Sequence, residues 1–228
     1  MKIRREGLPF IIGSGVASLV LVLIGLGVVG LFPVLFVLWF FRDPERIVPS
    51  GDDLIISPAD GTVLDIKEVK DERLGRCTKV PIFMSVFSVH VNRAMVSGKV
   101  IEKRYRPGAF HVASVGRKTD ANERMIHYIE NQDGVYRVDQ VAGLVARRIL
   151  FFPEVGDTVQ AGQRIGLIRF GSLLECFVPL DVKVMVTKGQ KVTAGQTVIG
   201  RIERWTGDTD ISGVRRKRSA QCPSCRIS

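Results

Sequence analysis

Three short segments of this 228-residue chain hold residue types suited to nucleophilic and acid–base chemistry. They are Ser57-Pro58-Ala59-Asp60-Gly61, Val89-His90-Val91-Asn92-Arg93 and Phe170-Gly171-Ser172. The Gly171-Ser172 pair interrupts an apolar, strand-like run from Arg164 to Leu174. Glycine inside a strand marks a bulge or a close backbone approach. The serine could instead turn on its own backbone. An attacking hydroxyl must lose its proton, so it needs a base beside it. Histidine suits that task near neutral pH, and a carboxylate suits orienting the imidazole. The chain has three histidines. His111 follows Pro107-Gly108-Ala109-Phe110, and His127 lies in a strand-like run. His90 has β alternation before it and a polar, turn-like set after it. Asp60 sits in a Pro-Ala-Asp-Gly turn, where an Asx-type turn with Gly61 at positive φ is the structural reading. The residues alone leave open whether Asp60, His90 and Ser172 form one set or serve three separate structural ends.

The elements that must position them read as mainly β, a barrel- or sandwich-like domain. Short apolar runs alternate with Gly, Asp and Pro at Leu54–Ser57, Gly61–Ile66, Val80–Val91, Gly98–Tyr105, Met125–Glu130, Val135–Val141 and Arg148–Phe152. Such spacing is that of an antiparallel sandwich or barrel. One helix is expected near Asp139–Ala146, against its β-branched content. The segment from Gly156 to Gly166 recurs 33 residues later, from Gly189 to Gly200, each copy reading as turn, strand, turn, strand. Two copies are too few for a solenoid and fit paired units of one domain. These lipoyl-like repeats resemble the turns of lipoyl and biotinyl carrier domains. A membrane-anchored carrier or binding module is therefore the rival reading. It needs a modified lysine at a hairpin tip, and Lys183, between the copies, is the candidate for it.

An N-terminal hydrophobic helical membrane anchor precedes this body, over residues 1–45. No charged residue occurs from Leu8 to Phe41, while Lys2, Arg4 and Arg5 precede the stretch and Arg42 and Arg46 follow it. A run this long and apolar calls for lipid, and it is too long for a cleaved signal peptide. As one straight helix it would be about 50 Å long, against a hydrocarbon core of ~30 Å. Gly25, Gly27, Gly30 and Pro33 interrupt it, and basic residues on both flanks place both ends on one side, the cytoplasmic face of the cell membrane. A hairpin or re-entrant anchor is expected, with a tilted span as the alternative.

The formal net charge is +10, of which the 204–228 segment carries +4. No basic stripe interleaved with aromatics appears, which argues against nucleic acid. Cys77 and Cys176 sit in strand-like contexts and read as buried thiols. Cys222 and Cys225 form a single Cys-x-x-Cys, half of what a structural zinc site needs, so no metal is expected. Beyond Glu203 apolar periodicity ends, and residues 204–228 read as a disordered tail. The β domain is thus expected over 46–203.

Six segments taken together carry a family resemblance. They are Phe41-Arg42-Asp43-Pro44, Ser57-Pro58-Ala59-Asp60-Gly61, His90-Val91-Asn92-Arg93, Asn122-Glu123-Arg124, the Ala142–Arg148 run and Phe170-Gly171-Ser172. In this order, from about Phe41 to Arg201, the chain resembles phosphatidylserine decarboxylase of the short, prokaryotic, pyruvoyl-dependent type. The resemblance implies autocatalytic serinolysis at Gly171-Ser172, giving a β chain of residues 1–171 and an α chain of 172–228. Ser172 then becomes a covalent pyruvoyl group, which is the cofactor and binds the substrate amine as a Schiff base. By the family pattern Asp60 and His90 assist Ser172. A glycine at 171 is a sensible neighbour, since it lets the hydroxyl approach the carbonyl. The reaction implied is decarboxylation of phosphatidylserine, diacyl or archaeal ether-linked, to the ethanolamine lipid, with the membrane and the two chains as partners and a homo-oligomer left open. Arg93, Arg147 and Arg148 are candidates for a substrate phosphate or carboxylate, because Arg matches such oxygens with a planar fork. Structural ion pairs are their other reading. Long-type members carry a second histidine where this chain has Phe87, so the proton donor in the decarboxylation step does not carry over. Leu173 stands where the family more often has a polar or basic residue. A Ser-His-Asp hydrolase acting on external substrates is a third reading of the same residues.

Overall fold

The computed structural model describes residues 2–110, 119–143, 149–169 and 172–203. His111, Arg147, Arg148, Gly171 and the segment with Cys222 and Cys225 lie outside the described residues.

The apolar N-terminus folds back on itself. Helix α1 (Leu8–Leu21) runs through a π-type turn to Gly25 at φ 93° and Gly27 at φ 50°. Both are left-handed values that favour glycine. The chain returns through a 3-10 segment (Gly27–Leu31) into α2 (Phe32–Phe40), whose second residue is Pro33, tolerated in a first turn. The Val34 amide donates to Ser18 Oγ at 3.3 Å between the arms. Gly30 packs against the end of α1, where a Cβ would stand 3.0 Å from Leu21 Cβ and from the Val22 nitrogen. At the open end β1 (Lys2–Ile3) pairs with β2 (Arg42–Asp43), and the Arg4 amide donates to the Phe41 carbonyl at 3.1 Å. The segment Arg5–Phe40 is long and apolar enough to be a membrane span by length and composition. Its side chains are largely exposed, Val28 at 84% and Leu23 at 75%. It is a candidate membrane anchor. A 14-residue α1 is about 21 Å long, short of a full ~30 Å crossing.

The body is built from short antiparallel strands: β3 (Leu54–Ile56), β4 (Gly61–Val63), β5 (Lys67–Asp71), β6 (Gly75–Met84), β7 (Val91–Arg93), β8 (Gly98–Arg106), β9 (Arg124–Asn131) and β10 (Gly134–Ala142). They continue as β11 (Ile149–Phe151), β12 (Thr158–Val159), β13 (Arg164–Ile168), β14 (Ser172–Pro179), β15 (Val182–Val184), β16 (Lys191–Val192) and β17 (Val198–Ile202). The main sheet has the order β12-β8-β9-β10-β14-β6-β4-β16, with β5 also on β6, and it curls into a half-barrel. Two three-stranded sheets, β11-β13-β7 and β15-β17-β3, accompany it. Alternate residues of the long strands, among them Val80, Ile82, Met84, Val138, Leu174 and Cys176, fill one buried core. The outer face of the same strands holds a buried ion network. Arg124 reaches Asp139 and Glu175, and Arg137 reaches Asp139 and Asp71.

The sequence repeat is a structural one. In one half the Val63 amide donates to Gln190 O, and the Gly189 amide donates back to Val63 O. In the other half Val100 makes the same pair with Asp157 and Gly156. Ser57, bonded to Thr197 and Gly195, is matched by Ala94, bonded to Gln163 and Gly162. The Asp60 carboxylate accepts the Ala194 amide at 2.7 Å, and Ser97 Oγ accepts the equivalent Ala161 amide at 2.9 Å. The Asp60 turn and the segment following His90 are thus equivalent parts of two half-units.

Two local expectations are corrected. Asp139–Ala142 is strand, because β10 is hydrogen-bonded to β9 on one side and β14 on the other. The remainder of that expected helix lies mostly outside the described residues. Gly61 does not have a positive φ. It is needed for space, since a Cβ would lie 2.2 Å from the Phe83 carbonyl oxygen. Gly98, its counterpart, would meet the Glu130 carbonyl oxygen at 2.4 Å. Gly61→Ala and Gly98→Ala should each destabilise the domain by about 3 kcal/mol through overpacking against an immovable backbone. Denaturant midpoints lowered in both variants check this; an unchanged midpoint in either contradicts the packing described.

Candidate active site

Ser172 is the first residue of β14, in register with Met84 of β6 and Ala142 of β10. Strand alternation puts it on the inner face with Leu174 and Cys176, and it is fully buried. Its hydroxyl donates to Met84 Sδ at 3.4 Å. A thioether is a weak acceptor, so the hydroxyl is held loosely and turns at little cost. The same sulfur receives Asn92 Nδ2 at 3.7 Å. Gln140 Nε2 donates to Asn92 Oδ1 at 2.8 Å and to the Leu150 carbonyl at 3.2 Å. Gly166 makes room for that amide, since a Cβ there would lie 2.7 Å from Gln140 Nε2. On the other side Asn122 Nδ2 donates to the Ala142 carbonyl at 2.8 Å, and the Ala142 amide donates to Glu123 O at 2.9 Å. The Asn122-Glu123 pair thereby fixes the residue directly opposite Ser172.

His90 precedes β7 and is also fully buried. Its Nδ1 lies 2.9 Å from the Ser88 carbonyl. Pairing with a carbonyl makes Nδ1 the protonated nitrogen and leaves the lone pair on Nε2. The ring packs at 4.3 Å, tilted by 33°, on Phe40, the last residue of α2. Burial pushes the imidazole pKa down from 6.5 to about 4, against the Ser88 carbonyl, which raises it, and with Arg42, which lowers it. His90 is therefore neutral at physiological pH and can accept a proton. The His90 carbonyl accepts the Ile168 amide at 3.4 Å, which joins it to the strand that leads into Phe170-Gly171-Ser172.

Asp60 lies in the β3–β4 turn. One oxygen accepts the Ala194 amide, and the other receives Arg46 Nη2 at 2.9 Å. Arg46 also reaches Gln196 Oε1 at 3.0 Å. Among the described residues no hydrogen bond joins Asp60 to His90, or His90 to Ser172. What connects the first two is electrostatic: the Arg42 guanidinium feels the Asp60 carboxylate and in turn acts on His90. The Arg93 amide also bonds to the Pro58 carbonyl at 2.9 Å, which brings the Asp60 turn against β7. Arg93 itself is buried. It donates to the Gly162 carbonyl at 2.9 Å and the Pro44 carbonyl at 3.1 Å, beside Asp43. Its guanidinium holds the segment after the hairpin onto the body.

His127 and the carrier lysine Lys183 have surroundings of their own. His127 is fully buried on Phe151, 4.1 Å between ring centroids, and its nitrogens have no hydrogen-bond partner among the described residues. Its pKa is pushed down to about 3 by burial. His111 lies outside the described residues. Lys183 sits within β15, opposite Arg201, not at a hairpin tip. Cys77 and Cys176 are buried free thiols. No group of three metal-ligating side chains occurs among the described residues. Sequence reasoning missed Met84, Gln140, Phe40 and the pairing of Arg46 with Asp60. Arg46 was visible only as a basic flank of the apolar stretch, and Arg42 as a flank and as part of the Phe41-Arg42-Asp43-Pro44 segment.

Comparison with known proteins identifies the family. Residues 34–200 match the family model described as phosphatidylserine decarboxylase. A phosphatidylserine decarboxylase proenzyme of Symbiobacterium thermophilum is 49% identical over 207 residues, covering 88% of this chain and 95% of the relative. The proenzyme of Syntrophus aciditrophicus is 46% identical over 205 residues, covering 87% and 96%. That of Geotalea uraniireducens is 43% identical over 203 residues, covering 87% and 95%. With the match spanning the anchor's second arm, both half-units and the Ser172 strand, the chain belongs to the phosphatidylserine decarboxylase family.

Proposed function

We propose that this chain is the proenzyme of a membrane-anchored phosphatidylserine decarboxylase that cuts itself between Gly171 and Ser172. The observation that carries the reading is Ser172 itself: buried, loosely held on Met84, at the head of a central strand, in a chain whose close relatives are named as proenzymes.

In the self-cleavage His90 Nε2 takes the Ser172 hydroxyl proton as Oγ attacks the Gly171 carbonyl carbon. The Gly171–Ser172 C–N bond breaks, its nitrogen gains a proton, and an ester joins Gly171 to Ser172 Oγ. Loss of the residue-172 α-proton then expels the Gly171 carboxylate, leaving dehydroalanine. Its imine tautomer takes up water and releases ammonia, so residue 172 ends as an N-terminal pyruvoyl group. Burial suits these steps, because it keeps His90 neutral and excludes competing water. Asp60 acts at a distance in this state, through the Arg42 and Arg46 guanidinium groups.

The pocket fits the group that would form. It is lined by Met84, Asn92 and Gln140, with side-chain amides to hold carbonyl oxygens. The pyruvoyl carbonyl would supply an electron sink for loss of carbon dioxide from the amino-acid headgroup. Asn92 and Gln140 would orient that carbonyl, and Phe40 would hold the His90 ring. His90 is the group proposed to return a proton, since Phe87 has none to give. The lipid substrate lies in the bilayer that the hairpin enters, so anchoring raises its local concentration. Arg147 and Arg148 are the arginines proposed to meet its phosphate. Arg93 is proposed to hold the chain in place.

Ser172→Ala should remain a single 25 kDa chain on denaturing gels, whereas the wild type splits in two; an alanine variant that still splits at this bond removes Ser172 as the nucleophile. The pH dependence follows from His90. Its neutral form is the base, so splitting should proceed unchanged from pH 8 to near 6.5 and fail only as pH drops toward about 4. Native stability follows the same sense, present above 6.5 and lost as pH falls through the folded-state value. Phe40→Ala, which opens the ring to water, should move the acid limb upward toward 6.5 and cost about 3–5 kcal/mol of stability. Time courses of splitting in cell-free synthesis check this; an acid limb that stays put would show that Phe40 does not set the histidine's environment.

A further inference from the structure

The turn carrying Phe87 lies against the base of the hairpin. Met84 ends β6, the chain turns at Val86-Phe87, and His90 follows three residues on. Phe87 is 67% exposed and Val86 36%, on a body whose other large apolar side chains in this segment are buried. The turn is rigid. The Ser88 amide donates to Ser85 O at 2.9 Å, and the Phe87 amide donates to Ser85 Oγ at 3.3 Å. It is also clamped to the hairpin. Arg42 Nη1 donates to the Trp39 carbonyl and Nη2 to the Phe87 carbonyl, both at 2.8 Å. The same guanidinium lies 3.8 Å over the Trp39 ring, and Trp39 meets Phe87 edge-on at 5.9 Å.

We infer that the Val86-Phe87 turn is a second lipid-inserting element, entering the same bilayer interface as the hairpin base. Exposed apolar side chains cost free energy in water unless something covers them. The cover here is continuous with the exposed apolar surface of α2, through Trp39. A tryptophan at the foot of an apolar helix belongs at headgroup depth, and an arginine beside it suits anionic headgroups. Phe87 sits at that level and points the same apolar chemistry outward. The consequence concerns the site. Ser88, the residue after Phe87, gives its carbonyl to His90, so a turn seated in the interface puts the His90 pocket at headgroup depth. The amino-acid headgroup of a lipid then reaches the pocket without the lipid leaving the bilayer. A single hairpin leaves the domain free to tilt, whereas a second contact fixes its orientation.

The inference rests on the reading of Arg5–Phe40 as a membrane anchor, and the test separates the two. In full-length protein with Trp39→Phe and Trp205→Phe, one tryptophan is introduced as Phe87→Trp. In a control it is introduced as Leu180→Trp, an exposed position at the far end of β14 from Ser172. Each protein is bound to vesicles of phosphatidylcholine and phosphatidylglycerol and recovered by flotation. The Phe87→Trp protein should show blue-shifted emission, quenching by acyl-chain-brominated lipid and shielding from iodide. The Leu180→Trp control should show the reverse. Iodide quenching at position 87 equal to that at 180, in protein that floats, overturns the inference and leaves the anchor standing. Protein that does not float overturns both. A lipid-quenched tryptophan at 87 in a chain that fails to split upholds the turn and counts against the decarboxylase reading.

Discussion

The pairing of β14 on both flanks is the constraint on which the rest depends. From Ser172 to Pro179 it is laddered to β6, and from Ser172 to Phe177 to β10. A strand held on both edges cannot slip without turning its whole core face outward. Ser172 is therefore fixed at the inner face, against Met84. The buried ions on the other face reinforce the register, because Glu175 of β14 must meet Arg124 and Lys79. Removing one partner from such a set leaves an uncompensated charge, which is far worse than losing the pair. A chain cut ahead of Ser172 would keep this whole ladder, so cleavage and an intact fold are compatible.

The second dependence runs from the apolar hairpin to the site. Phe40 and Phe41 are buried with Val89, Val91 and Leu167 in a small cluster of their own. The hairpin's foot is thus part of the wall around His90, and the antiparallel β1–β2 pair closes its two ends beneath it. Asp43 and Glu45 tie the connecting segment to Arg164, and Arg93 ties it to the Gly162 turn. The apolar hairpin and the β domain share side chains, so the packing of the hairpin and the environment of the histidine are linked properties.

Much of this was legible in the sequence, for reasons that differ by residue. Alternation in Val135–Val141 and Met125–Glu130 read as strand because inner and outer faces differ in polarity. The repeat read as paired units because turn glycines recur at 156, 162, 189 and 195, all four with positive φ. The Val80–Val91 run hid a turn, since Met84, Val86 and Phe87 are apolar although two of them face outward. Asp139–Ala142 was misread as helix because its neighbours in the sheet come from distant sequence. Met84 and Gln140 carry no local signal for a site, and a methionine in a strand reads as core. The Phe40 contact with His90 depends on how an anchor packs on a domain, which no local pattern reports. Arg93 was compatible with a ligand or an ion pair, and only the tertiary carbonyls of Gly162 and Pro44 distinguish them.

Under the proposed function, the serine at 172 is a precursor that the mature protein no longer contains. Mass spectrometry of the purified wild-type protein tests it most directly, because it reads the cleavage point and the new terminus together. The result expected here is two chains, one ending in a free carboxylate at Gly171 and one beginning at residue 172 with a pyruvoyl group in place of serine. A single intact chain, or a smaller chain that begins with an unmodified Ser172, would contradict it.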